Sequence, residues 1–246
     1  MKPWPYPRII AHRGGGTLAP ENTLAGMRKA RELGFGGVEF DVMLAGDATP
    51  ILMHDETLAR TTNGSGAIAD TAYRDMLKLD AGGWFSRGHA GEPVPSFDQA
   101  GRLCVELGLW ANVEIKPSKG FEAQTGTATA LAARELWRGA PVQPVLSSFQ
   151  PAALAAAKQA APELPRGALT KGIPADWEHW MQVLGCVSLH CDYRMLLPQQ
   201  VRAVHDAGYW LACWTVNDPE IARVLFDWGV DAVITDRLDR IAPDFT

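Results

Sequence analysis

"CVSLHCDYRMLLPQQVRAVHDAGYWLACWTVNDPEIARVLFDWGVDAVITD", residues 186–236, decides the fold. Three short apolar runs, CVSLH (186–190), WLACWTV (210–216) and DAVITD (231–236), are separated by PQQVRAVHDAG and DPEIARVLFDWG. Both separating stretches have helical apolar spacing, carry Pro at their start and end on Gly, the punctuation of a helix that begins and stops cleanly. Strands that alternate with helices lie parallel in their sheet. Working toward the N-terminus, the same unit recurs: RGALT (166–170) then ADWEHWMQVLG, PVLSSF (144–149) then PAALAAAKQAA, WANVEIK (110–116) then TATALAARELW. GVEFDV (37–42) and RIIAH (8–12), the latter followed by helical NTLAGMRKARELG, complete eight strand-like runs. Eight such units in 246 residues predict a closed (β/α)8 TIM barrel, with an open doubly wound sheet as the runner-up.

PILMHD (50–55) stands outside this count. It follows strand 2 after too few residues for a parallel crossover, which needs roughly a dozen. It is therefore expected to return antiparallel, as a hairpin turning near Gly46 and Asp47. The following text, through TTNGSGAIAD and LDAGGWFSRGHAGEPVPS, is rich in turn residues. Residues 43–95 read as an insertion between strand 2 and its helix, which is expected to start near Ser96, within one barrel domain spanning 1–246. A connection this long points to function.

Composition limits the partners. The net charge of −5 gives no general attraction to nucleic acid or to an anionic membrane, so an anionic ligand must be held by local positive charge. The N-terminal MKPWPYPRII has no apolar h-region, and no stretch approaches the ~20 apolar residues of a membrane span. A cytoplasmic protein without stable membrane association is expected. Cys104, Cys186, Cys191 and Cys213 lie in apolar contexts and form no CxxC pair, which fits buried thiols in a reducing compartment.

Barrel enzymes place their chemistry at the C-terminal ends of the strands. There the sequence puts His12 and Arg13, Glu39 and Asp41, Glu114 and Lys116, with His54 on the hairpin and Ser147, Ser148, His190, Trp214 and Asp236 on later strands. Strand side chains alternate, so Glu39 and Asp41 share one face, and Glu114 and Lys116 share another, while Val38, Phe40, Val42, Val113 and Ile115 face the helices. Three carboxylates converging on a barrel interior need cationic company. Lys116 and Arg13 supply part of it, and a divalent ion, magnesium or calcium, is the natural remainder for an all-oxygen donor set. The competing reading is a buried ion-pair cluster without a metal. Two histidines nearby favour a reactive site, because imidazole is available in either protonation state near neutral pH. The glycines at 14–16 allow a sharp turn and would bring backbone N–H groups to an anion. Arginine, lysine, metal and amides together point to a phosphate ester.

The motifs AHRGGGTLAPENT (11–23), VEFDV (38–42), LMHD (52–55), VEIKP (113–117), SSF (147–149), WTVND (214–218) and ITD (234–236) resemble the glycerophosphodiester phosphodiesterase family in order and approximate spacing. The similarity runs nearly end to end, through TTNGSG, APELPRG and GVDAVITD, and is greatest to the cytosolic bacterial members associated with glycerol-phosphate uptake. The resemblance implies a (β/α)8 barrel with an insertion after strand 2. It also implies metal-dependent hydrolysis of deacylated phospholipids to sn-glycerol 3-phosphate and an alcohol. It carries metal ligation to Glu39, Asp41 and Glu114, acid–base catalysis to His12 and His54, phosphate contact to Arg13 and Lys116, and an aromatic near the glycerol to Trp214. Glu21 and Asn22 would fix the first loop and helix start. The implied route is two-step: the glycerol 2-hydroxyl attacks phosphorus to give a cyclic phosphate, which water then opens. Direct attack by water is the competing route. Three other functions are open to the residues. A phospholipase or lysophospholipase would need an apolar entrance, for which Trp4, Trp84 and Phe85 are candidates, although Trp84 and Phe85 fit a small core within the insertion better. A phosphate-ester-binding barrel without turnover would not need both histidines. A metal-dependent barrel aldolase or isomerase would not need them so placed.

Overall fold

A computed structural model describes residues 3–245; Met1 and Lys2 of the N-terminal segment and Thr246 lie outside the described residues. Strands β1 (Ile9–Ala11), β2 (Gly37–Leu44), β3 (Pro50–Leu52), β4 (Trp110–Ile115), β5 (Val145–Ser148), β6 (Arg166–Thr170), β7 (Ser188–Asp192), β8 (Trp210–Trp214) and β9 (Ala232–Thr235) form one sheet. β1 pairs in parallel with both β2 and β9, so the sheet closes. Eight strands make the parallel barrel, and β3 is the antiparallel hairpin partner of β2, with Val42 opposite Leu52 and Leu44 opposite Pro50. The open-sheet alternative is thereby excluded. The hairpin turns at residues 45–49, where Ala45 N–H donates to the Thr49 carbonyl and Ala48 takes φ of 63°.

Helices α1 (Leu24–Glu32), α2 (Tyr73–Met76), α3 (Phe97–Leu107), α4 (Glu122–Leu136), α5 (Pro151–Ala160), α6 (Trp177–Leu184), α7 (Pro198–Asp206) and α8 (Pro219–Trp228) follow; all but the short α2 belong to the outer layer. Local chemistry starts them. The Thr23 hydroxyl accepts from Gly26 N–H, and Ser96 with Gln99 forms a reciprocal capping box at α3. Prolines at the first turn open α5, α7 and α8. The largest core lies between strands and helices and contains Val38, Phe40, Val42, Val113 and Ile115, the residues whose parity points them outward. Inside the barrel, Ile10, Val145, Ala212, Ala232 and Ile234 pack together. The end away from the site is plugged by aromatics: Tyr6 stacks on Trp110 at 4.6 Å between ring centres, and Trp4 meets Trp210 edge-on at 5.7 Å. Trp4 thus closes the floor and is no part of an apolar entrance.

The excursion between β2 and α3 has a core of its own, built from Met43, Ile51, Met53, Leu58, Ile68, Met76 and Val94. Trp84 and Phe85 do not join it, contrary to the expectation above. Trp84 is 43% exposed and its indole N–H donates to the Ala81 carbonyl, which holds the ring on a surface turn. The four cysteines are buried free thiols. Among the described residues no helix is long and apolar enough to cross a membrane.

His190 also departs from its sequence reading. It lies within the barrel wall, 1% exposed, and does not line the cavity described below. Its Nε2 is 2.8 Å from Ser188 Oγ, and a Cβ on Gly167 would sit 2.8 Å from that nitrogen, so glycine makes room for the ring. Burial pushes its pKa from 6.5 down to about 4. The folded state therefore resists protonation that the unfolded chain accepts below pH 6.5. Stability should fall as pH drops from 6.5 toward 4, by up to about 3 kcal/mol from this residue. Urea unfolding at pH 7 and pH 4.5 should show a smaller acid loss for His190→Asn than for the unchanged protein; equal acid losses would remove His190 as the cause.

Candidate active site

The barrel mouth gathers the charged residues. β2 sets Glu39 and Asp41 on its inner face, and β4, in register with Asp41 opposite Glu114, sets Glu114 beside them. Ligand oxygens of Glu39, Asp41 and Glu114 can all lie within 4.8 Å of one another. Glu39 and Asp41 are 3% and 1% exposed. Lys116 Nζ is 3.3 Å from both Asp41 and Glu114, and Arg13 Nε is 3.6 Å from Asp41. Asn22 grips Asp41 twice, donating from Nδ2 to its carboxylate at 2.8 Å and accepting its backbone N–H at 3.0 Å. Asn22 thus holds the site carboxylate, and Thr23 caps the helix.

The charges do not balance evenly. Burial, with the Asp41 charge beside it, pushes Glu39 up to about 7, and burial with Asp41 pushes Glu114 up to about 8. Burial opposes ionisation of Asp41 too, but Lys116, Arg13, His54 and the Asn22 hydrogen bond hold its pKa below the ordinary value. One carboxylate is therefore satisfied by the protein's own cations, and two are not. An all-oxygen cluster with surplus negative charge fits a hard divalent cation, so these residues could hold a metal ion.

Both histidines reach the same cavity from different segments. His12 follows β1, and its Nδ1 is 2.6 Å from Asp236 after β9. Asp236 is itself clamped by Asn217, whose Nδ2 donates to its carboxylate at 3.1 Å and whose Oδ1 accepts its backbone N–H at 2.8 Å. The other ring nitrogen of His12 lies 3.8 Å from Glu39. Burial would lower the His12 pKa, but the Asp236 hydrogen bond and the Glu39 charge outweigh it and raise it. His54, on the hairpin return, places Nδ1 2.6 Å from Asp55. Burial lowers its pKa, helped by Arg13 and Lys116, despite Asp41 and Asp55. Asp55 takes bonds from Arg60, which also donates to Glu21 from Nη1 and Nη2 at 2.8 Å, and Glu21 in turn accepts from Arg13 at 2.9 Å. A continuous chain of ion pairs thus ties the hairpin histidine to the first loop.

His12, Arg13, Glu39, Asp41, His54, Glu114, Lys116 and Trp214 all line one cavity of about 120 Å³. Phe149 joins it, its ring 5.4 Å from that of Trp214 in an edge-on contact. A second space of about 220 Å³, lined by His54, Glu56, Lys116, Phe149 and Gln150, adjoins it through shared walls. Ser148 is structural, its hydroxyl donating to the Ile115 carbonyl at 2.6 Å. The glycine loop differs from the expectation. The N–H groups of Gly14, Gly15 and Gly16 donate to the carbonyls of Glu39, Arg13 and His12, so they are not offered to an anion. Gly16, at φ of 54°, is needed because a Cβ would strike the Asp236 carbonyl at 2.3 Å. The loop is spent on tight packing that seats His12 against Asp236.

Sequence reading missed Asn112. It sits two residues before Glu114 on the same face of β4, lines the cavity, and is 1% exposed, with neither amide atom hydrogen-bonded. Burying such a group unpaired costs about 1–3 kcal/mol. The parity that found Glu114 also reaches position 112, but a neutral amide gave no charge signal.

Comparison with known proteins shows the family and the fold. The model of the glycerophosphoryl diester phosphodiesterase family matches residues 12–240. A glycerophosphodiester phosphodiesterase from Caldanaerobacter subterraneus subsp. tengcongensis is 35% identical over 229 residues, 93% of this chain and 93% of that protein. The structure of an Oleispira antarctica phosphodiesterase in complex with the product sn-glycerol-3-phosphate has a TM-score of 0.91 at 37% identity, covering 94% of this chain and 93% of that one. A glycerophosphodiester phosphodiesterase from Agrobacterium tumefaciens has a TM-score of 0.79 at 27% identity, covering 97% and 98%. Fold and relatives together define a barrel phosphodiesterase. The chain belongs to the glycerophosphoryl diester phosphodiesterase family.

Proposed function

We propose that this protein hydrolyses soluble glycerophosphodiesters to sn-glycerol 3-phosphate and an alcohol in the cytoplasm, with His12 and His54 as the acid–base pair. The observation that carries the reading is the convergence of two carboxylate-anchored histidines on one cavity that also holds three carboxylates, Arg13 and Lys116. Glu39, Asp41 and Glu114 would hold one divalent cation, Mg2+ or Ca2+. When bound, that ion supplies Lewis-acid neutralisation of the phosphoryl oxygens. Arg13 and Lys116 act on the same charge as phosphate contacts. One histidine removes the proton of the glycerol 2-hydroxyl as its oxygen bonds to phosphorus. The bond from phosphorus to the leaving alkoxide breaks, and the other histidine protonates that oxygen. Water then opens the cyclic phosphate with the two roles exchanged. Trp214 and Phe149 wall the glycerol side, and the adjoining 220 Å³ space takes the leaving alcohol.

The test is turnover of glycerophosphocholine and glycerophosphoethanolamine with product identification, before and after chelation. Release of sn-glycerol 3-phosphate that stops on metal removal and returns with Mg2+ or Ca2+ is expected. Full activity after exhaustive chelation would end the metal assignment. Faster hydrolysis of vesicle-bound intact phospholipid than of these soluble diesters would favour the lipid-acting alternative.

A further inference from the structure

We propose that Asn112 is a ligand-reading residue, whose side-chain amide binds a hydroxyl group of the glyceryl moiety and so makes the cavity selective for a polyol ester over an alkyl ester of phosphate. The inference rests on the reading given under Proposed function and adds a specificity determinant to it.

Asn112 stands in the wall of the 120 Å³ cavity, with its Cα in register with Glu39 on β2 and Val145 on β5. Leu169 and Ile234 line the same cavity and are apolar. A leucine or valine at 112 would leave no polar atom unpaired. The chain instead places there a primary amide, 1% exposed, whose Nδ2 and Oδ1 both lack a partner among the described residues. Native interiors seldom tolerate this without a ligand or water to satisfy the group. Two other residues lining the cavity also bury a polar atom without a hydrogen-bond partner, Arg13 at Nε and Trp214 at its indole Nε1.

The chemistry of the amide selects the partner. Nδ2 carries two donors, and Oδ1 only accepts. A phosphate oxygen satisfies Nδ2 and leaves Oδ1 bare, whereas a metal ion does the reverse. A hydroxyl both donates and accepts, so it can answer the whole amide, and the Trp214 N–H offers one further donor to a neighbouring hydroxyl. The phosphate already has Arg13 and Lys116, and the carboxylates already offer a cation its oxygens. What remains for Asn112 is the polyol.

The experiment compares the binding of sn-glycerol 3-phosphate with that of propyl phosphate, which keeps the phosphate and three-carbon chain but lacks the hydroxyls. Both are titrated calorimetrically into the unchanged protein and into Asn112→Leu with Mg2+ present. The unchanged protein is expected to prefer the glycerol ester by roughly 10–100-fold, the worth of about two hydrogen bonds. Asn112→Leu should lose most of that ratio by weakening glycerol phosphate, with propyl phosphate affinity unchanged. The ligand-free Tm of Asn112→Leu should hold or rise, because the unpaired amide is gone. Asn112→Val, smaller and favoured in strands, is the second variant should leucine overfill the site. An unchanged ratio in a folded variant overturns the proposal and leaves Asn112 satisfied by water alone. Equal weakening of both ligands also overturns it, because the residue would then act on the phosphate or the cation. Glycerophosphocholine hydrolysis by the unchanged protein, measured on the same preparation, tests the underlying reading separately.

Discussion

His12→Asn and His54→Asn are each expected to lower kcat for glycerophosphocholine by roughly 10²–10⁴-fold while leaving the fold and cation binding intact. Each ring is fixed from behind: Nδ1 of His12 lies 2.6 Å from Asp236, and Nδ1 of His54 lies 2.6 Å from Asp55. A carboxylate on Nδ1 sets the tautomer and leaves Nε2 for the reacting atoms. Asparagine approximates the size of imidazole's near half and can accept or donate a hydrogen bond, but it does not exchange a proton near neutral pH. The two variants should then separate by leaving group. A p-nitrophenyl ester of glycerol phosphate departs without protonation, so the variant lacking the first-step acid should recover part of its rate, and the variant lacking the base should not. A substrate without the glycerol 2-hydroxyl should bind and fail to react. Robust hydrolysis of that deoxy substrate would favour direct attack by water, and near-normal kcat in either variant would refute that histidine's role.

The parts of the site that repeat along the chain were legible in the sequence, and the parts that join distant segments were not. Period-two alternation places Glu39 with Asp41 and Glu114 with Lys116, and it holds because β2 and β4 are regular and adjacent. The short link after Val42 sufficed to predict the antiparallel return that brings His54 to the mouth. Asp236, by contrast, is 224 residues from His12, and only closure of the barrel through the β1–β9 pairing makes them partners. Arg60 stands in a turn-rich stretch, and nothing local marks it as the bridge between Asp55 and Glu21. The glycines at 14–16 have an ambiguous signature. A loop that cradles an anion and a loop that bonds to itself require the same freedom of backbone, and the hydrogen bonds of this one close internally. His190 misled for a related reason: a strand residue of the correct parity faces inward at any depth, and Gly167 with Ser188 gives its ring a berth in the wall.

Glu39→Gln and Glu114→Gln are expected to raise the stability of the metal-free protein and to abolish its response to Mg2+. Both carboxyls are pushed far above their ordinary value by burial and by the Asp41 charge, to about 7 and about 8. Above the unfolded pKa of 4.5 the unfolded chain ionises them at no cost and the folded protein does not, so metal-free stability falls as pH rises from 4.5 toward about 7 for Glu39 and about 8 for Glu114. Glutamine has the same shape and no charge, which removes a penalty on the order of 1–3 kcal/mol near neutrality. Asp41→Asn should act in the opposite sense. Lys116 and Arg13 lean on that carboxylate, and its loss removes one of the two anionic partners of each, leaving Glu114 to Lys116 and Glu21 to Arg13, a change that costs about 1–3 kcal/mol. With Mg2+ at 100 times its Kd, the unchanged protein should gain about 2.7 kcal/mol by mass action, read as a rise in Tm of roughly 5–10 °C. The glutamine variants should show no such rise, and their activity should fall with their cation affinity. A cluster that exists only to pair charges predicts the reverse pattern: Glu39→Gln and Glu114→Gln would destabilise, and added Mg2+ would leave the unchanged protein's Tm where it was. Thermal denaturation of the three variants and the unchanged protein, with and without Mg2+, therefore decides between a cation site and a structural ion-pair cluster without reference to turnover.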